Sequence, residues 1–239
     1  MGVVLRLGCG ASYSRQSLML DLEMRQRALS TIARLSGWLT LSNRLRYGHQ
    51  APRPGIRLTL PPDLLQNRYH VSGNDGLRLP HWRTGQIRGG DWDISLRATH
   101  KSTKFAACRN HFINGKSWDD TKIIDYGLKR IATQTKYDNC FTKDDLVARY
   151  ARLDDLWDKT KRAGALPDHI TKSARLRDSI VVHMTRDGTL IFGNQGFHRL
   201  AIAQLAKIKE ITVLLGVTHE DAVRSGAAAQ TIATYSAVD

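Results

Sequence analysis

The run Gly196 to Ala203, GFHRLAIA, sets a glycine, a histidine and an arginine side by side, residue types that can hold an anion at the start of a helix. Glycine lets the backbone approach a ligand, and the first helical turn offers unpaired N–H groups at the positive end of the helix dipole. His198 and Arg199 would add donors to phosphate oxygens, and His198 could shuttle a proton if it titrated near neutrality. An ionised Arg–phosphate hydrogen bond contributes about 1.5–3 kcal/mol and a helix N-terminus about 0.3–1. Micromolar affinity needs about 8 kcal/mol, so a nucleotide would also require base and ribose contacts and a metal bridging its phosphates. The bland alternative is a plain helix start beside a turn.

A second set of chemical groups lies in Gly89 to Asp93, GGDWD. Two carboxylates flanking Trp92, with freedom at Gly89 and Gly90, could place Asp91 and Asp93 beside Mg²⁺ or beside an attacking hydroxyl. The same run reads equally as a tight turn pinned by a buried tryptophan. Of the nine histidines, only His198 sits in a motif with mechanical meaning. His183, inside an apolar strand, reads as a satisfied core or edge residue. No HExxH or other strong metal-ligand spacing occurs, and Cys9, Cys108 and Cys140 are odd in number with no CxxC, which argues against a disulfide framework or a structural zinc. A reducing cytoplasm is the expected setting.

The elements that must position these groups follow from periodicity. Ser179 to Met184 (SIVVHM), a turn at Arg186 to Gly188, and Thr189 to Gly193 (TLIFG) predict a hairpin. Ala201, Leu205 and Ile208 recur at helical spacing after Gly196, and Ile211 to Val217 reads as a buried strand. Asp144 to Lys161 predicts a helix with Leu146, Tyr150, Leu153 and Trp157 on its inner face and Arg149, Arg152 and Lys161 in solvent. Ser117 or Asp119 is expected to cap a helix whose Trp118 docks on the core. Pro61-Pro62-Asp63 would open a short helix ending before Asn67, while Tyr69 to Gly73 and Gly85 to Gly90 read as loop or edge strand. Gln50 to Asp63, with four prolines, is expected to be a linker or extended arm.

From Ile180 to His219, the hairpin, GFHRLAIAQLAKIKEI and the closing ITVLLGV resemble the core of the ParB-like and sulfiredoxin-like superfamily. The likeness extends to an uncharacterised ParB-like subgroup through GGDWD, HFINGKSWDDT (His111 to Thr121) and GFHRL in that order, covering roughly residues 50 to 220. The resemblance implies an α+β fold with a small mixed sheet and flanking helices. It also implies that Gly196, His198 and Arg199 hold the phosphates of ATP or CTP, with Mg²⁺, and that His219 lines the same mouth. Because some sulfiredoxin-like relatives are small-molecule or free-serine kinases, it makes a phosphotransferase the leading enzyme reading, with Asp91 or Asp93 as metal ligand or base. Departures narrow this. Phe197 occupies the place of the sulfiredoxin cysteine, which argues against sulfinic acid reduction. Gln195 replaces a frequent acidic residue, and the roughly twenty residues after His219 are not expected to hold a partition-type DNA clamp.

A formal charge of +14 predicts attraction to polyanions. Residues 1–60 carry nine arginines, no lysines and two acids, half of that charge. Met24, Ala28, Ile32, Leu35 and Leu39 trace an apolar stripe, predicting a basic amphipathic helix that docks on its own domain, lies on an anionic membrane surface or contacts nucleic acid. No run is long enough to span a bilayer. The expected organisation is a helical, Arg-rich extension over 1–50, a nucleotide-binding domain over 51–220 with its core at 179–219, and a tail over 221–239. The alternative to an enzyme is a non-enzymatic DNA-binding or membrane-surface adaptor.

Overall fold

The computed structural model describes residues 36–70, 84–167 and 179–236. The apolar stripe from Met24 to Leu35 falls outside them. The fold is α+β, built on one mixed sheet of seven strands: β1 (Arg57–Leu60), β2 (Asn67–Tyr69), β3 (Gln86–Arg88), β4 (Leu96–Ala98), β5 (Ile180–Met184), β6 (Leu190–Phe192) and β7 (Ile211–His219). Their order is β1-β7-β5-β6-β2-β4. β1 runs antiparallel to the first half of β7, and β3 lies parallel to its second half, with Gln86 to Arg88 opposite Val217 to His219. The proline-rich stretch expected to be a linker therefore contributes a strand, and β2 lies between β6 and β4 rather than at an edge.

The helices are α1 (36–47), α2 (Thr103–Phe112), α3 (Ile123–Gln134), α4 (Lys143–Ala163), α5 (Phe197–Leu205), α6 (Glu220–Arg224) and α7 (Ala227–Tyr235). α4 starts with a capping box: the Thr142 hydroxyl accepts from Asp145 N while the Asp145 carboxylate accepts from Thr142 N. It stops at Gly164, whose φ of 60° gives the left-handed end that glycine favours. Ser117 does not cap α3. It closes a turn with Asp120, and α3 begins at Ile123 after the left-handed Lys122. The residues after His219, expected as a tail, form α6 and α7, and Thr231 donates to Gly188 O across the hairpin turn.

Two apolar layers meet on α5. Leu58, Leu60, Ile180, Val182, Met184, Phe192, Val213 and Leu215 face Phe105 and Cys108 of α2 and Leu200, Ala201 and Ala203 of α5. Beyond them, Ala107, Ile123, Ile124, Leu146, Tyr150 and Leu153 pack on Ile202. α5 is therefore apolar nearly all round, as a helix between two layers must be. Tyr69, Trp92, Ile191 and Val217 form a smaller cluster on the other face of the sheet.

β7 reaches both faces because of an irregularity. Val182 pairs with Leu215 but Met184 with Thr218, so β7 carries one extra residue there. A one-residue bulge inverts the alternation, turning Val217 away from the face that Val213 and Leu215 share. The Val217 N–H donates instead to Nδ1 of buried His183 at 3.1 Å. Room for that ring is made by Gly193 and Gly216, where a Cβ would stand 2.9 and 2.7 Å from it. His183 is thus a satisfied core residue, as its setting in an apolar strand suggests.

Candidate functional site

The GxHR turn forms where the sequence places it. Gly196 caps α5 with a φ of 76°, and no side chain caps the helix. A Cβ at Gly196 would lie 2.7 Å from Ser179 O and 2.8 Å from Ile180 Cα, so the residue is required by its closeness to β5. Leu200 N donates to Gly196 O, closing the first turn. Arg199 Nη2 donates to Pro167 O, which ties its guanidinium to the segment entering β5.

His198 turns inward rather than toward solvent. Its ring is buried and meets the Tyr150 ring edge-on, with centroids 5.4 Å apart. Burial, followed by the Lys104 charge, pushes its pKa down to about 3. The imidazole is therefore neutral at physiological pH, and proton shuttling near neutrality, which depended on an ordinary pKa, does not suit it. Helical side chains lean toward the N-terminus of their helix, so this ring lies at the same end of α5 as the N–H groups that no side chain caps.

The ring's neighbours are residues the sequence did not single out as a site. Tyr137 N donates to Cys140 O and Cys140 N to Tyr137 O, enclosing Asp138 and Asn139 at φ 53° and 61°. Positive φ at both central residues is the signature of a type I′ turn, which Asp and Asn tolerate. This turn joins α3 to α4 and aims Asp138 at α2, where Lys104 Nζ binds its Oδ1 at 2.5 Å. Arg149 Nε of α4 stops 3.9 Å from Asp138 Oδ2. Burial opposes ionisation of Asp138, but the Lys104 and Arg149 charges hold its pKa below the ordinary value.

Five buried polar atoms gather here without a hydrogen bond of good geometry: Tyr137 Oη, Asp138 Oδ2, Arg149 Nε, Tyr150 Oη and His198 Nε2. The two phenol groups lie near enough to influence each other, and burial raises both pKa values well above the usual range. Unsatisfied buried polar atoms cost about 1–3 kcal/mol each, so native proteins pair them with protein, water or ligand. Exposure grades across the cluster. Tyr150 is fully buried, whereas the Lys104 and Arg149 side chains are 24% and 33% exposed, making them its rim.

Asp91 and Asp93 stand elsewhere. Arg186, in the β5–β6 turn, donates from its backbone N to Asp93 Oδ2 at 2.8 Å and from Nη2 to Asp93 Oδ1 at 2.7 Å and Asp91 Oδ1 at 2.9 Å. Trp92 packs against Tyr69, His183 and His219. His219 donates from Nε2 to Gly90 O at 2.8 Å and accepts Asp221 N at Nδ1. Gly196 abuts the first residue of β5, whereas Arg186 follows its last, a separation of roughly 15 Å at about 3.3 Å per residue. Asp91, Asp93 and His219 therefore do not join the α5 turn in one site, and GGDWD works here as a clasp on the hairpin. With both Asp93 oxygens engaged by Arg186, the pair does not fit an Mg²⁺ ion. Among the described residues, no group of three His, Cys, Asp or Glu side chains is arranged to hold a metal.

Trp118 is structural too: its Nε1 donates to Asp154 and its ring stacks on His111. Lys104, Tyr137, Asp138, Arg149 and Tyr150 lie in no motif, and Tyr150 looked like one more apolar stripe residue. The signal available in the sequence was Asp-Asn between two helices, a turn pair able to present a carboxylate. No helix of the described residues is long and apolar enough to cross a membrane. No family model matches the chain, and neither the curated proteins nor the solved structures give a match.

Proposed function

We propose that this protein binds a nucleoside triphosphate, ATP or CTP, at the N-terminus of α5 and transfers phosphate to a small-molecule hydroxyl. The observation that carries the reading is the pairing of an uncapped, glycine-started helix with a buried, unpartnered His198 and the cationic rim of Lys104 and Arg149. Helix N–H groups and nearby cations favour phosphate, and phosphoryl transfer needs little more from a protein than positioning and charge stabilisation. The likeness of the hairpin, the GFHRL turn and the closing strand to the ParB and sulfiredoxin core supports the same reading. Mg²⁺ would arrive with the phosphates of the nucleotide.

Thermal melting with each nucleotide, with and without Mg²⁺, tests the proposal. A ligand present at a hundred times its Kd stabilises by about 2.7 kcal/mol. The wild type is expected to gain this order of stability and Arg199→Ala to lose most of it. No shift with any nucleotide would sink the reading.

A second reading rests on α1, where Trp38, Leu41 and Leu45 are exposed along one face near Arg44 and Arg46. We infer from this face an adaptor that meets an anionic membrane or nucleic acid. Co-sedimentation with anionic vesicles that disappears in Trp38→Ser/Leu45→Ser would favour it, as would salt-steep duplex binding.

A further inference from the structure

We propose that the buried polar cluster of Tyr137, Asp138, Arg149, Tyr150 and His198 receives the acceptor hydroxyl, and that Asp138 Oδ2 takes its proton. This inference rests on the phosphotransferase reading and names the acceptor half of the same site.

The unpaired atoms define what fits. Asp138 Oδ2 can only accept a hydrogen bond, Arg149 Nε can only donate one, and the two phenols, close enough to share one long hydrogen bond with each other, keep the capacity to do either. A group that completes the set must both donate and accept, which a hydroxyl does. A phosphate dianion offers acceptors alone and would face the Asp138 carboxylate. The 3.9 Å between Arg149 Nε and Asp138 Oδ2 is too wide for a direct hydrogen bond, and a hydroxyl oxygen could bridge it by accepting from the first and donating to the second. Lys104 holds the other carboxylate oxygen, fixing the direction in which Oδ2 points. Local charge agrees. Lys104 and Arg149 against Asp138 leave one net positive charge beside the α5 N-terminus, suited to a neutral or zwitterionic alcohol on the inside and triphosphate at the helix end.

The step balances without a further reactant. The acceptor O–H bond breaks, its proton passes to Asp138 Oδ2, and its oxygen bonds to the γ-phosphorus. The bond from that phosphorus to the bridging oxygen breaks, and its electron pair leaves with the nucleoside diphosphate. Asp138 Oδ2 is itself buried, so the proton passes to water that enters as the product leaves. In a loose transition state the proton is accepted late, so a carboxylate held at low pKa suffices.

Glycerol, L-serine and glucose are suitable probes, added to the full chain and followed by thermal melting and ligand-observed NMR. At least one is expected to bind the wild type and to bind Tyr150→Phe roughly tenfold more weakly, with the nucleotide shift unchanged. Tyr150→Phe removes only an oxygen and keeps the ring packing, so it remains informative if Asp138→Asn fails to fold. Transfer from a labelled triphosphate to the bound probe should fall about a hundredfold or more in Asp138→Asn and stay intact in Asp91→Asn. The inference is overturned if no probe binds and a high-resolution crystal structure shows only water, or nothing, between Arg149 and Asp138. It is also overturned if binding is indifferent to Tyr150→Phe, or if transfer depends on Asp91 and not on Asp138. Probe binding that needs Tyr150 in a protein that takes up no nucleotide would keep the cluster as a hydroxyl site and remove the kinase reading instead.

Discussion

Two buried imidazoles should make this protein lose stability well above the range in which carboxylates titrate. Burial lowers the His183 pKa from an ordinary 6.5 to about 4, and burial and then Lys104 lower that of His198 to about 3. Each is neutral when folded and takes up a proton near pH 6.5 when unfolded. The unfolded state therefore binds more protons between those values, and stability falls as the pH drops below 6.5. At pH 5 the cost relative to pH 7 is about 2 kcal/mol for each histidine and about 4 kcal/mol for the pair. Against a typical total of about 5–15 kcal/mol this is a large fraction. Asp93 and Asp138, whose folded pKa values are depressed, give stability that is lost only at still lower pH, outside this window. The mechanism is concrete for His183, because a proton on Nδ1 would abolish its acceptance of the Val217 N–H. Urea unfolding followed by tryptophan fluorescence at pH 7, 6 and 5 measures the slope. His183→Gln and His198→Gln, which do not titrate, should each remove about half of it whatever their effect at pH 7. A change smaller than about 1 kcal/mol between pH 7 and 5, or a slope untouched by either variant, would refute the reasoning.

Gly196→Ala should cost at least about 2 kcal/mol in thermal melts. The left-handed backbone alone costs about 1–2, and the new Cβ meets main-chain atoms of β5 that cannot rotate aside. Arg186→Met should lower the urea midpoint clearly, because buried Asp93 loses its partner, while Asp91→Ala, with a carboxylate 79% exposed, should leave it nearly unchanged. Equal effects of the two would contradict the clasp. Cys108, whose thiol burial pushes up to about 12, should stay unmodified by a thiol reagent until denaturant is added. Mapping the labelled peptides decides this, and rapid native labelling at Cys108 would count against the packing of α2.

Local rules carried the reading of sequence into fold furthest where period and punctuation agree. The hairpin, α5 behind Gly196, β7, and the helix read over Asp144 to Lys161, which runs as α4 from Lys143 to Ala163, follow from alternation and helical spacing. Sheet membership was harder to read. β1 and β2 are short and lie among prolines and charges, and only pairing with β7 and β6 makes them strands. The placement of GGDWD was equally non-local, because nothing in the sequence says that Arg186, over ninety residues away, reaches both carboxylates. His198 was legible as a residue of interest, but not its inward direction, which depends on α4 lying across the first turn of α5. Tyr150 hid within an apolar stripe and Arg149 within what read as a solvated face.

The β7 bulge has a consequence for how the sheet assembles. The His183 ring works as a tooth in a slot cut by Gly193 and Gly216. Sliding β7 by one residue in either direction would bring the side chain of Leu215 or Val217 to the place of Gly216, against the ring. Only one alignment of β5 with β7 lets the strands close, so the central pair is keyed rather than merely zipped. That alignment also brings His219 to Gly90 and Val213 to Ile180, so a single imidazole sets the relative position of the clasp and the α5 turn at the two ends of the sheet.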